Sequence, residues 1–139
     1  VVSESKAAEM GLEPLVHFKS SAVAGEDPTR AYKTVPAAVE KALDLAGLSI
    51  NDMDLVEVQE AFSAQVLADL KDMGLGPDEY AKVNVNGSGI SLGHPIACTG
   101  TRVLVTLLHE MKRRNARYGL ETICGGGGLG IAAVLERKS

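Results

Sequence analysis

Four consecutive glycines, Gly125 to Gly128, separate two short apolar stretches, LETIC (120–124) and LGIAAVLE (129–136). A connection this short cannot hold a parallel crossover, which takes about a dozen residues or more, so the two stretches form an antiparallel hairpin. Upstream, strand and helix patterns alternate. Residues 15–24 (LVHFKSSAVA) read as a strand with Val16, Phe18, Ser20 and Ala22 on one face. A GEDPTR loop follows, and then a helix that Thr34 caps and Gly47 ends, with Val35, Ala38, Val39, Ala42, Leu43 and Ala46 along one stripe. Residues 54–58 form a short strand. Phe62, Val66, Leu70 and Met73 mark a second helix stopped by Gly74, and VNVN (83–86) reads as a third strand. A third helix begins near Pro95 to Thr99 and buries Val103, Leu104, Leu107, Leu108 and Met111. The order βαβαβαββ predicts an α/β fold, a mixed and mostly parallel five-stranded sheet covered by helices.

The 139 residues are enough for one domain with a hydrophobic core. The first residues carry no basic segment followed by an apolar run, so they do not read as a signal peptide. No apolar run approaches the roughly 20 residues of a membrane span. The net charge of −4, without an aromatic-studded basic patch, argues against a nucleic-acid partner. The basic run KRRNAR (112–117) falls at a helix end, where cations suit the dipole and stay solvated. Two cysteines, Cys98 and Cys124, make no disulfide framework, and a cytoplasmic or other reducing compartment is expected. No CxxC or HxxxH pair offers closely spaced ligands, so no metal site is expected.

Three positions suggest chemistry. His94 lies between Gly93 and Pro95, ahead of the third helix, where a loop histidine can serve as a base near neutral pH. It can equally bond a nearby backbone carbonyl. Cys124 ends a strand and faces the glycine run, whose amides are free of side-chain cover and suit an oxyanion. It can also be a small buried apolar residue. The run lacks the Lys and Ser/Thr of a phosphate-binding P-loop, and a strand follows it rather than a helix. Glu57, Gln59 and Glu60 sit at the carboxyl end of a strand, the edge where open α/β sheets bind ligands. Cys98, His17 and His109 read as structural.

QEAFSAQ (59–65), NVNGSGISLGHPIACTGTRVLVTLLHEMKRR (84–114) and GLETICGGGGLGIAAVLE (119–136), in this order and spacing, resemble the C-terminal half of thiolases. The GEDP loop and VPAAVEKALDLAGL (35–48) look similar to the same family. The resemblance implies a thiolase-like half whose domain spans 15–139, with residues 1–14 left from the segment that links it to an N-terminal half. It implies acyl transfer between coenzyme A thioesters, either 3-ketoacyl-CoA thiolysis or acetyl-CoA condensation. The acyl-CoA would be a substrate, with no tightly bound cofactor. The nucleophilic cysteine would come from the N-terminal half, since neither cysteine here matches it, and this chain alone would be inactive.

By the same resemblance, His94 would deprotonate that nucleophile and help hold a thioester oxygen. Cys124 would be the acid/base for the α-carbon proton. Gly126 would offer an oxyanion N–H, and Phe62, Gly93 and Gly125 would line the substrate site. Gln59 would position a water. It stands where the family usually has Asn and is one methylene longer. The uncovered apolar face, expected on the third helix, implies a homo-oligomer or another partner. A non-catalytic assembly subunit is the alternative. A ketoacyl-synthase-like enzyme fits less well, because such enzymes usually carry a histidine where this chain has Cys124.

Overall fold

The computed structural model describes residues 1–138. The glycine run turns the expected hairpin: β3 (Tyr118–Gly125) and β4 (Leu129–Glu136) pair antiparallel. Gly127 and Gly128 have φ of +83° and +82°, which a side chain would strain. A Cβ on Gly128 would also lie 2.2 Å from the Glu26 carbonyl oxygen. β1 (His17–Gly25) pairs antiparallel with β4, and β2 (Leu55–Val58) pairs parallel with β3. The sheet order is therefore β1-β4-β3-β2.

This corrects the expected sheet. Among the described residues it has four strands rather than five, and only one of their pairings is parallel. The strand that does not form is 83–86. Val83 makes a single bridge to Val56, and then Asn84 turns to a φ of +44°. The Asn84 side chain replaces the backbone ladder from there. Its Oδ1 accepts from the Val58 N–H at 2.8 Å and its Nδ2 donates to the Val58 carbonyl at 2.9 Å. A side-chain amide thus satisfies the edge of β2 while the chain leaves the sheet. VNVN alternates like a strand, but nothing in the alternation shows which amide bonds β2.

Helices cover both faces. α1 (Glu4–Glu9) lies in the N-terminal segment, with Ala7 buried. α2 (Thr34–Ala46) and α3 (Ser63–Asp72) pack on one face, where Val35, Ala38, Val39, Val66 and Leu70 share a core with Val56, Leu120 and Val134. A short helix, α4 (Gly89–Leu92), lies in the loop after Asn84. α5 (Thr99–Arg114) covers the other face, with Leu107 and Met111 over Leu55 and Leu135. Gly47 ends α2 in the left-handed conformation at a φ of +67°, as its position predicts.

Other details differ from expectation. Thr34 is the first residue of α2 rather than its cap; it is buried, with its hydroxyl 2.7 Å from the Ala31 carbonyl oxygen. A bulge between Phe18 and Ser20 moves Phe18 to the α5 side opposite Leu135, so it does not share a face with Ser20 and Ala22. Leu104 and Leu108 are half-buried. The basic run is not wholly solvated: Arg113 and Arg114 pair with the buried Glu110, which also accepts from Asn86 at 3.0 Å. Those bonds hold the Glu110 carboxyl down at about 2 and tie the loop after β2 to α5.

Asn84→Gly keeps the backbone conformation accessible while removing the side-chain bonds to Val58. It should lower stability by about 1–3 kcal/mol, because the edge of β2 is left unpaired. Thermal unfolding measures this, and an unchanged midpoint would show that the amide does not hold the edge.

Candidate active site

β2 alternates Leu55, Glu57 and then Gln59 toward α5. Leu55 joins the hydrocarbon core, and the two polar residues lie beneath the start of the helix. The Gln59 N–H donates to the Thr122 carbonyl at 3.0 Å, which carries the pairing with β3 one residue past the strand. Gln59 is 2% exposed, and its side chain reaches two partners. Nε2 lies 3.2 Å from His94 Nδ1, and Oε1 accepts from Arg102 Nη2 at 3.3 Å. His94 Nδ1 is also 2.7 Å from the hydroxyl of Thr99, the buried first residue of α5. The imidazole is exposed, and its Nε2 has no partner among the described residues.

Glu60 holds the loop that carries His94. Its two carboxylate oxygens accept from Asn84 Nδ2 at 3.1 Å and from the Ile90 N–H at 2.9 Å. The loop then presses on Gln59 at Gly89, where a Cβ would sit 2.4 Å from Gln59 Nε2. Only glycine fits that approach.

Beneath α5, Glu57 and Glu121 are directly paired across β2 and β3. Burial pushes both carboxyls up to about 7; at Glu57 the charge of Arg102 opposes the rise, while Glu60, Glu110 and Glu121 add to it. Among the described residues, one oxygen of each carboxyl and the Arg102 Nε and Nη1 have no hydrogen-bond partner.

Cys124 is half-buried and packs against the core on the α2 and α3 side. Burial pushes its thiol up, and the charge of Asp69 pushes it further. An active-site thiol open to solvent would be lowered and would react before Cys98; this one is raised. Cys124 stays protonated at neutral pH, which suits a proton donor better than a nucleophile. Asp69, on α3, is fully buried and bonded to Gln65; burial lifts its carboxyl to about 7.

His94, Gln59 and Thr99 are brought together by direct bonds. No hydrogen bond joins Cys124 to them among the described residues. Phe62, 74% exposed, follows β2, and the exposed Gly125 and Gly126 end β3 and open its turn. Because those strands are parallel, these residues share one sheet edge. Gly93 is exposed beside His94, at a φ of +98°. Sequence reasoning passed over Thr99, Arg102 and Asp69. For Arg102 a signal exists, since it follows Thr99 by three positions and so lies on the same side of α5.

These elements define an α/β domain with a histidine-bearing loop at the carboxyl edge of its sheet. The chain belongs to the thiolase family: the family model "Thiolase, C-terminal domain" matches residues 12–137. An acetyl-CoA acetyltransferase of Chromobacterium violaceum is 50% identical over 137 residues, 99% of this chain and 34% of that protein. A 3-ketoacyl-CoA thiolase of Citrobacter koseri is 49% identical over 138 residues, 99% of this chain and 35% of that protein. The chain thus spans about a third of the length of these curated relatives. The crystal structure of the Bacillus anthracis acetyl-CoA acetyltransferase superposes with a TM-score of 0.93 at 46% identity, covering 99% of this chain and 34% of that one. Human mitochondrial 3-ketoacyl-CoA thiolase in complex with CoA gives 0.94 at 39% identity, with the same coverage.

The thiols and the buried carboxyls give two predictions. Exposed Cys98 should react with iodoacetamide before Cys124, and Asp69→Asn should speed labelling of Cys124 just above pH 7, where Asp69 is mostly ionised. Mass spectrometry of each site measures this, and faster labelling of Cys124 in the unaltered chain would contradict it. Glu57 and Glu121 hold their protons more tightly when folded, so unfolding free energy should fall as pH rises from about 4.5 to about 7. Glu121→Gln should reduce that slope and stabilise the fold above pH 7 by about 3 kcal/mol. Denaturant melts across the range test it, and identical slopes would refute it.

Proposed function

We propose that this chain is the C-terminal domain of an active thiolase that transfers acyl groups between coenzyme A thioesters. The reaction is 3-ketoacyl-CoA thiolysis or its reverse, the condensation of acetyl-CoA units. The observation that carries this reading is the anchoring of His94. Thr99 and Gln59 hold Nδ1, while Nε2 stays unpartnered at the sheet edge where Phe62, Gly125 and Gly126 also lie. Relatives named as thiolases, one of them solved with CoA, support the substrate class.

In this reading an N-terminal thiolase half supplies the nucleophilic cysteine. His94 takes the proton of that thiol and helps hold the thioester oxygen. Attack at the 3-keto carbon breaks the bond to the α-carbon, and the Cys124 thiol protonates the departing α-carbon. In condensation the Cys124 thiolate removes that proton instead. The elevated thiol of Cys124 fits the donor step. Support for a shared site comes from the parallel pairing of β2 with β3, which brings the end of β3, where Cys124 lies, to the edge from which the segment after β2 emerges, although the thiol packs on the α2 and α3 side while Gln59 faces α5. The Gly126 N–H holds the second oxyanion, Gly93 and Gly125 leave room for the thioester, and Phe62 lines its approach. Coenzyme A enters as substrate, and no tightly bound cofactor is invoked.

Exposed apolar groups favour a partner. Val23 and Ile131, paired across β1 and β4, are 61% and 49% exposed, and Ile96 in the histidine loop is 82% exposed. The third-helix stripe expected to be uncovered is instead packed on the sheet, with Val103, Leu107 and Met111 buried, and the exposed groups on β1, β4 and the histidine loop are the proposed contact with the N-terminal half or with another copy.

Joined to an N-terminal thiolase half, the domain should catalyse thiolysis of acetoacetyl-CoA, and His94→Ala should reduce kcat/KM by about 10²–10⁴. Activity indifferent to that substitution would refute the role of His94. The domain alone should be inactive and should self-associate in sedimentation, and a monodisperse monomer would count against the proposed contact surface.

A further inference from the structure

We propose that Arg102 is a positioning residue that, through the Gln59 carboxamide, holds the His94 imidazole in its Nε2–H form. A histidine ring in hydrogen bonds on one nitrogen can carry its proton on either, and the surrounding donors and acceptors decide which. Thr99 cannot decide alone, because its hydroxyl either donates to Nδ1 or accepts from it. Gln59 alone is ambiguous too, because its amide can turn over. Arg102 removes the ambiguity. A guanidinium only donates, so the Gln59 group facing Arg102 at 3.3 Å must be the carbonyl oxygen. The NH₂ then faces His94 Nδ1 at 3.2 Å and donates to it. With Nδ1 an acceptor, Thr99 donates as well, and the ring proton is left on Nε2.

The device is rigid. Gln59 is 2% exposed, and the backbone of Gly89 lies so close to its amide that a Cβ there would clash. Glu57, buried on the same side of β2, attracts the Arg102 charge from below. The extra methylene of Gln over Asn, roughly 1.5 Å of reach, lets one amide touch both the helix arginine and the loop histidine. The departure from the usual family residue thereby acquires a reason. This deepens the reading proposed above and rests on it. Of the two roles given there to His94, the resting ring is set to donate to the thioester oxygen. Acting as a base at Nε2 first requires the ring proton to pass to Nδ1, where the Thr99 hydroxyl can turn to accept it.

The test uses the complete thiolase that carries this domain, with ¹⁵N-labelled histidine and long-range ¹⁵N–¹H spectra. His94 is assigned by the signal lost in His94→Asn. The unaltered enzyme should show the Nε2–H pattern. Arg102→Met should give a mixture of tautomers, and Arg102→Lys should restore the single form. Gln59→Glu should abolish the Nε2–H pattern and put a proton on Nδ1, because a carboxylate can only accept. An Nδ1–H ring in the unaltered enzyme, or an Arg102→Met spectrum unchanged from it, would overturn the inference while leaving thiolysis intact. An enzyme with the Nε2–H ring but no thiolysis would instead overturn the proposed function. If Arg102→Met does not fold, Arg102→Gln takes its place: its amide can donate or accept, so it should give the same mixture, and a spectrum unchanged from the unaltered enzyme would overturn the inference.

Discussion

The parallel pairing of β2 with β3 is the contact on which the site depends. It runs from Leu55 opposite Gly119 to Val58 opposite Thr122, and the Gln59 N–H continues it to the Thr122 carbonyl. Parallel strands end at the same edge, so the segment after β2 and the glycine turn after β3 emerge side by side. An antiparallel pairing would have sent Gln59 and Gly125 to opposite ends of the sheet. The loop bearing His94 is then fastened to that edge from three directions. Asn84 holds Val58, Glu60 holds Ile90, and Glu110 holds Asn86.

The polar layer beneath α5 is costly for the fold. Glu57, Glu121 and Arg102 occupy a place where hydrocarbon would be more stabilising, and several of their polar atoms lack partners among the described residues. Toward its start the helix covers charged groups as well as the aliphatic Ile123, whose Cδ1 lies 3.3 Å from where a Cβ on Gly100 would sit. The layer coincides with the part of the helix that touches the histidine loop. It supplies in Arg102 a donor to the buried Gln59 amide, and hydrophobic packing alone could not orient an amide.

Most of the architecture could be read from patterns. The α2 stripe from Val35 to Leu43, its stop at Gly47 and the Gly125–Gly128 hairpin all depend on local rules of period and turn chemistry, and each holds. The misses share one cause. The strand expected at 83–86 is displaced by a side-chain amide from within the stretch itself, and Phe18 changes face because of a bulge. Both depend on what lies across the chain, which periodicity does not encode. At the site, His94, Gln59 and Cys124 stood out by their neighbours in the chain. Thr99 and Arg102 did not, because a threonine and an arginine in a helix read as ordinary surface residues.

The sequence by itself determined the main strands and helices apart from 83–86, the hairpin, the family and the residues able to do chemistry, since these follow from spacing and side-chain identity. Only the tertiary structure decided which groups meet. It set Gln59 between Arg102 and His94, and it placed the Cys124 thiol in a low-dielectric flank near Asp69. The physical reason is range. Period and turn preference act over a few residues, whereas the direction of a buried amide and the proton affinity of a buried thiol are set by groups 35 to 55 positions away, Gln59 from His94 and Asp69 from Cys124.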